Sequence, residues 1–315
     1  MNNRVLVTGA MGFIGGRVGQ ALAKSANIKV ILGSRKEKNN LSWLPDTPII
    51  AMDWSSQKSL TLACDGIDTL VHLAGMNDAD CLLDPMAALE INAVNTARLM
   101  QAAKTTGVRR VIYLSTAHVY SSSLVGKIDE STLTRGLHPY ATSHRAAEDI
   151  VLGASNSYMD SIVIRLSNGF GVPAHMGVNA WMLLTNDLCR QAIVSKSMTL
   201  RSSGLQQRDF ITLHDVARAI EHMLGLPKID LGDGIFNVGK GQSMRVIDMA
   251  RLIQMRCAEM LSFTPKITRP KPTGNEEGKQ LLYCIDKLLQ TGFTLNGNPN
   301  DEIDGILRMC SRLPE

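Results

Sequence analysis

RVLVTGAMGFIGG, residues 4–16, is a short β-branched run that breaks at a threonine into a glycine-rich turn and then resumes as a helical pattern. The three glycines serve different purposes. Gly9 allows the tight turn, Gly12 lets backbone approach a pyrophosphate, and Gly15 permits close helix–strand packing. With Phe13 and Ile14 they form the N-terminus of a helix, whose free N–H groups and partial positive charge suit a phosphate. The pattern alone is weak; a strand before it and a helix after it point to dinucleotide binding.

Outward from this turn the same alternation repeats. IKVILG, PIIAM, TLVHLA, RRVIYLS and SIVIRL read as strands apolar on both faces, with helices expected up to about residue 25, over residues 84–106 and from Pro139 to Gly153. Buried strands separated by amphipathic helices predict an α/β fold, a Rossmann-like doubly wound parallel sheet. Past Asn168 the alternation stops: GFGVPAHMGVN is loop, residues 179–194 read helical, and MTLRSSGLQQRDFITL reads as short strands turning at Gly204. LHDVARAIEHMLG reads as a helix, GIFNVG as a strand of the main sheet, and SMRVIDMARLIQMRCAEML as a further helix. The expected organisation is a dinucleotide-binding domain of residues 1–165 and 206–240, interleaved with a smaller C-terminal substrate lobe of residues 166–205 and 241–315.

Composition sets the boundaries. A chain of 315 residues predicts about two domains, and 44% hydrophobic with 20% charged residues excludes a disordered chain. A net charge of +4 gives no basic surface for nucleic acid, and no apolar run approaches the roughly 20 residues of a membrane span. MNNRVLVTGA enters the first strand without a signal-like apolar stretch, so the expectation is a cytoplasmic protein. The six cysteines show no CxxC and no metal-ligand spacing with the histidines; they read as reduced, buried thiols with no metal site.

The second strand ends in LGSRKEKN, where an NAD-selective fold usually carries an acid for the ribose 2′-hydroxyl. Ser34 and Arg35 stand there, a hydroxyl and a guanidinium that suit a 2′-phosphate, so NADP(H) is favoured and NAD(H) stays open. Asp53 and Trp54, after PIIAM, are candidates to flank the adenine.

With the glycine turn, VHLAG, LSTAHVY and PYATSHRAAE in view, the chain resembles the extended short-chain dehydrogenase/reductases, in the nucleotide-sugar epimerase and dehydratase branch. The resemblance covers nearly the whole chain. It makes Leu73, Ala74 and Gly75 the cofactor-lining strand end and INAVNT, with Asn92, part of the cofactor site. It implies Tyr140 as the residue that moves a proton at the sugar oxygen, and Thr116 as the hydroxyl bonded to that oxygen. Family members place lysine four residues after the tyrosine, and here that position holds His144.

Imidazole is shorter than lysine and, at its ordinary pKa near 6.5, mostly neutral at pH 7. His144 is expected to anchor the nicotinamide ribose and assist Tyr140, with an impaired catalyst or a non-catalytic dinucleotide-binding sensor as the alternatives. If protonated His144 activates Tyr140, the rate rises toward pH 6. Arg145 is no substitute, since five residues carry it about 140° round a helix from Tyr140.

The resemblance further assigns Asn168 to the sugar or its phosphate, and Arg208 and Arg269 to the diphosphate; Asn77 is a candidate facing the sugar. Dehydratases of the family follow the threonine with Asp-Glu, where this chain has Ala117 and His118, which disfavours dehydration. The expected activity is hydride transfer between NADP(H) and C4 of a nucleotide-diphosphate hexose, as 4-keto-sugar reduction, with an NAD-retaining 4-epimerase as alternative. A homodimer is expected through the helices of residues 84–106 and 139–153.

Overall fold

The computed structural model describes residues 3–36, 41–272 and 279–312. Seven strands form one parallel sheet: β1 (Asn3–Thr8), β2 (Ile28–Ser34), β3 (Ile49–Ala51), β4 (Thr69–His72), β5 (Arg110–Thr116), β6 (Asp160–Leu166) and β7 (Ile235–Val238). Their order across the sheet is β7-β6-β5-β4-β1-β2-β3. The order reverses between β1 and β4, which opens a crevice at their carboxyl ends.

Strand alternation sends neighbouring residues to opposite faces, and both are covered. Val5 and Val7 join Val71, Ile112 and Ile164 under the helices Phe13–Leu22 and Leu213–Gly225. Leu6, Leu70, Val111 and Tyr113 pack on the other side against Leu99, Ala103 and Ala147. GIFNVG joins the main sheet at its edge, as expected.

A further apolar cluster, including Phe170, Leu188, Phe210, Ile253 and Ile303, draws on both stretches expected in the substrate lobe and on Phe210 from the stretch expected in the dinucleotide-binding domain. Gln207–Thr212 pairs parallel to Asn168–Phe170 and antiparallel to Ser243–Arg245, apart from the seven-stranded sheet. The last pairing shortens an expected helix: residues 243–245 are taken as an edge strand, and the helix begins at Val246. The helix expected from residue 179 begins at Leu184, because residues 178–183 close turns through Ala180 N–H to Val178 and Leu183 N–H to Ala180.

The helix expected over residues 84–106 is broken in register. Pro85–Leu89 and Asn95–Thr106 are α-helical, but Glu90–Val94 is a π-turn. The Thr96 hydroxyl donates 2.6 Å to the carbonyl of Asn92, and such side-chain competition for a helix carbonyl accompanies irregular turns.

Candidate active site

The glycine turn has the geometry its residues predict. Gly9 sits at φ +66°, and a Cβ there would stand 2.7 Å from the backbone of Leu73 and Ala74; one on Gly15 would stand 2.1 Å from the Gly9 carbonyl. Gly12 N-caps the helix Phe13–Leu22 without a side-chain cap, and no acid lies in the first turn. The amides of Phe13, Ile14 and Gly15 have no hydrogen-bond partner among the described residues. Three free N–H groups beside exposed Gly12 fit the pyrophosphate of a dinucleotide.

At the end of β2, Ser34 is buried and its hydroxyl accepts 3.3 Å from Lys36 N–H, while Arg35 is exposed and bonded to no described residue. Asp53 is exposed; its carboxylate accepts from the hydroxyl and amide of Ser55, which hold its pKa below the ordinary value. Trp54 is half-buried and stacks on His72, ring centroids 5.8 Å apart.

Leu73 and Ala74 donate their amides 3.3 Å to the Thr8 hydroxyl, which also contacts His72 Nδ1 at 2.7 Å, tying the glycine turn to the end of β4. Gly75 is exposed. Asn92 is 1% exposed and lies beside Gly75, where a Cβ would stand 3.2 Å from its Oδ1; that oxygen accepts 2.7 Å from Met76 N–H, and its Nδ2 donates 2.9 Å to Ser143. The π-turn carries this amide between the strand end and the helix Pro139–Leu152.

That helix starts with His138 as N-cap and Pro139 in the first turn, placing Tyr140 at its head. Burial pushes the pKa of the Tyr140 phenol up to about 12, partly offset by the hydroxyl of Thr116 at the carboxyl end of β5. His144 lies one turn on, its ring 4.5 Å from that of Tyr140 and edge-on to it. Its surroundings favour the neutral ring. His144 is 5% exposed, burial lowers its pKa to about 4, and its Nδ1 meets the Tyr113 hydroxyl at 2.6 Å. Arg145 points elsewhere, to the carbonyl of Thr134.

The substrate-side candidates divide. Arg208 is exposed and bonds to no described residue; burial lowers the pKa of nearby His118, Asp78 raises it, and Arg208, to a smaller extent than Asp78, lowers it. His118 itself stands 6.4 Å from Tyr140, so Thr116, Tyr140, His118 and Arg208 converge. Arg269 donates to the carbonyl of Ser203, and Asn168 donates 2.9 Å to the carbonyl of Asp209. Asn77 is occupied as a helix cap: its Oδ1 accepts from Asp80 N–H at 3.0 Å and its Nδ2 bonds the Asp80 carboxylate.

Sequence reading missed the buried supports. Glu148 and Arg165 pair at 2.7 Å, joining the Tyr140 helix to β6, and Ser115 donates to the same carboxylate. The one signal was an arginine inside the apolar run SIVIRL.

A family model described as the NAD dependent epimerase/dehydratase family matches residues 5–239. The chain belongs to this family. Among epimerase/dehydratase relatives, it is 31% identical over 270 residues to the dTDP-D-glucose 4,6-dehydratase of Mus musculus, covering 80% of this chain and 72% of the relative. It is 26% identical over 323 residues to the UDP-glucose 4-epimerase of Azospirillum brasilense, covering 97% and 90%. A solved structure of the fold, MoeE5 in complex with UDP-glucose and NAD, superposes with a TM-score of 0.79 at 24% identity, covering 98% of this chain and 99% of that one. Among the described residues no helix is long and apolar enough to cross a membrane.

Proposed function

We propose that this family member is a cytoplasmic oxidoreductase that moves hydride between NADP(H) and C4 of a nucleotide-diphosphate hexose, reducing a 4-keto group. The observation that carries the reading is the state of Tyr140: a half-buried phenol beside the Thr116 hydroxyl, with its pKa raised to about 12 and a neutral imidazole 4.5 Å away between ring centres. The dinucleotide supplies the hydride when bound. Reduction of a ketone takes a hydride at carbon and a proton at oxygen; Tyr140 rests protonated at neutral pH and so starts with that proton in hand, the phenolate left behind being reprotonated from solvent, whereas oxidation of a hydroxyl would have to start from a phenolate that neutral His144 does not stabilise. Thr116 holds the same oxygen in place.

The Arg35 guanidinium beside Ser34, bonded to no described residue, supports NADPH, since it is free to grip a 2′-phosphate. Arg208, bonded to no described residue, and Arg269 are assigned to the diphosphate, with Asn168 at the sugar or its phosphate. Dehydration is disfavoured because Ala117 offers no acid. Six free, buried cysteines fit a reducing compartment. Leu82, Leu83, Met86, Leu89, Ile91 and Val94 leave apolar surface exposed along residues 82–94, which supports a homodimer; light scattering at twice 34.3 kDa is the expected result.

The second reading, a 4-epimerase that keeps NAD bound through oxidation and reduction, is favoured by the resemblance to the Azospirillum epimerase. Mass spectrometry of the purified protein, with NADPH consumption followed on UDP- and dTDP-4-keto hexoses, separates them. Consumption of added NADPH, weakened in Arg35→Ala, supports the reductase. Copurified NAD and interconversion of C4 epimers without added cofactor overturns it in favour of the epimerase. Cofactor binding with neither reaction overturns both in favour of a sensor.

A further inference from the structure

Tyr113 lies in β5, three residues before Thr116, with its ring between two imidazoles: 5.4 Å from His72 and 5.9 Å from His144. It is 1% exposed. Its hydroxyl has one hydrogen-bond partner among the described residues, Nδ1 of His144 at 2.6 Å. The other acceptors nearby are engaged elsewhere. Both ring nitrogens of His72 contact threonines, Thr8 at 2.7 Å and Thr96 at 3.0 Å, and the Glu148 carboxylate is taken by Ser115 and Arg165.

A buried hydroxyl can satisfy its proton only by donating it, and leaving it unmade is costly. Were Nδ1 of His144 to carry the ring proton, it would donate to the Tyr113 oxygen and strand the phenolic O–H among apolar atoms. With Nδ1 accepting, the ring proton must sit on Nε2. Nε2 bonds to no described residue and lies on the side of exposed Gly75: a Cβ built there would stand 3.8 Å from Nε2 and 3.6 Å from Cε1. We propose that Tyr113 is a positioning residue for His144: by donating to Nδ1 it fixes the Nε2–H tautomer and turns that donor toward the cofactor-lining strand end.

This gives a neutral side chain one fixed donor in place of a charged ammonium. Its use rests on the reading above, in which His144 meets an acceptor of the bound dinucleotide, a ribose hydroxyl being the chemistry that fits a lone N–H. Without Tyr113 the ring is free to change tautomer or rotate.

The test is ¹⁵N NMR of the full chain labelled at histidine, at pH 7.5 without cofactor, with His144 assigned by its loss in His144→Gln. The expected spectrum of the unaltered protein has an unprotonated Nδ1 and a protonated Nε2, and Tyr113→Phe should add the opposite tautomer. A protonated Nδ1 in the unaltered protein, or an unchanged tautomer in Tyr113→Phe, overturns the proposal. The unaltered spectrum decides even where a variant folds poorly. NADH titration by fluorescence is a separate arm: both variants should bind about three- to ten-fold more weakly, with no further loss in the double variant. The expected tautomer with unchanged NADH affinity in His144→Gln would uphold the role of Tyr113 and overturn the placement of His144 at the cofactor.

Discussion

Glu148 and Arg165 form an ion pair at 2.7 Å on side chains 2% and 7% exposed, one on the helix that carries Tyr140 and His144, the other on the neighbouring strand β6. Arg165 also donates to the Tyr120 hydroxyl at 3.1 Å and lies 4.8 Å from the centre of its ring. Both side chains are shut off from water, so each charge depends on the other. Glu148→Leu would leave Arg165 buried without its anion and should destabilise the fold by about 3–5 kcal/mol. Urea unfolding monitored by circular dichroism measures this, and a loss below about 1 kcal/mol would show that the pair is dispensable.

Tyr140→Phe keeps the ring and removes the proton. It should fold normally, bind dinucleotide unchanged and lose about 10²–10⁴-fold in turnover, while Thr116→Val should lose less because a single hydrogen bond is removed. Retention of more than a tenth of the activity in Tyr140→Phe would mean another group moves the proton, the candidates being His144 and His118, whose rings lie 4.5 and 6.4 Å from that of Tyr140.

The glycines of the turn should separate binding from folding. An added methyl on Gly15 would lie 2.1 Å from the Gly9 carbonyl, a backbone clash, whereas one on Gly12 meets only that carbonyl, at 3.1 Å. Gly15→Ala should therefore lower the melting temperature sharply. Gly12→Ala should stay folded and weaken NADPH binding at least tenfold, because the methyl fills the approach of a phosphate. Equal losses of stability in both would contradict the division.

The buried imidazoles set the acid limit. Burial lowers the pKa of His144 to about 4; for His72, burial and then the nearby His144 lower it to about 3. Between the unfolded value near 6.5 and these folded values the unfolded chain binds more protons, so stability is complete above pH 6.5 and falls as pH drops below it. At pH 5 each should cost about 2 kcal/mol relative to pH 7. Urea midpoints at the two pH values should differ less in His144→Gln than in the unaltered protein. Turnover should show no step between pH 6 and 8 from His144, and a rate rising toward pH 6 would mean that the imidazole ionises in the loaded enzyme.

Much of the fold was legible, because strands buried on both faces must be written as apolar runs, and β1, β2, β4, β5 and β6 lie where those runs are. Residues 243–245 misled because their strand state comes from pairing with Gln207–Asp209, more than 30 residues away. The π-turn at Glu90–Val94 was invisible for a similar reason: its Asn92 is held by Met76 and Ser143.

The sequence by itself determined the glycine turn and the parallel sheet, since each rests on residue types at fixed local spacing, while Thr116 and Tyr140 as a couple came only as what the family resemblance implies. Only the tertiary structure decided what His144 is. The substitution for lysine was plain in PYATSHRAAE, but whether the imidazole carries charge depends on what surrounds it. Burial and the hydroxyl of Tyr113, 31 residues earlier in the chain, make it a neutral ring, because an ionisable group takes its charge state from the solvent and partners that the fold leaves it.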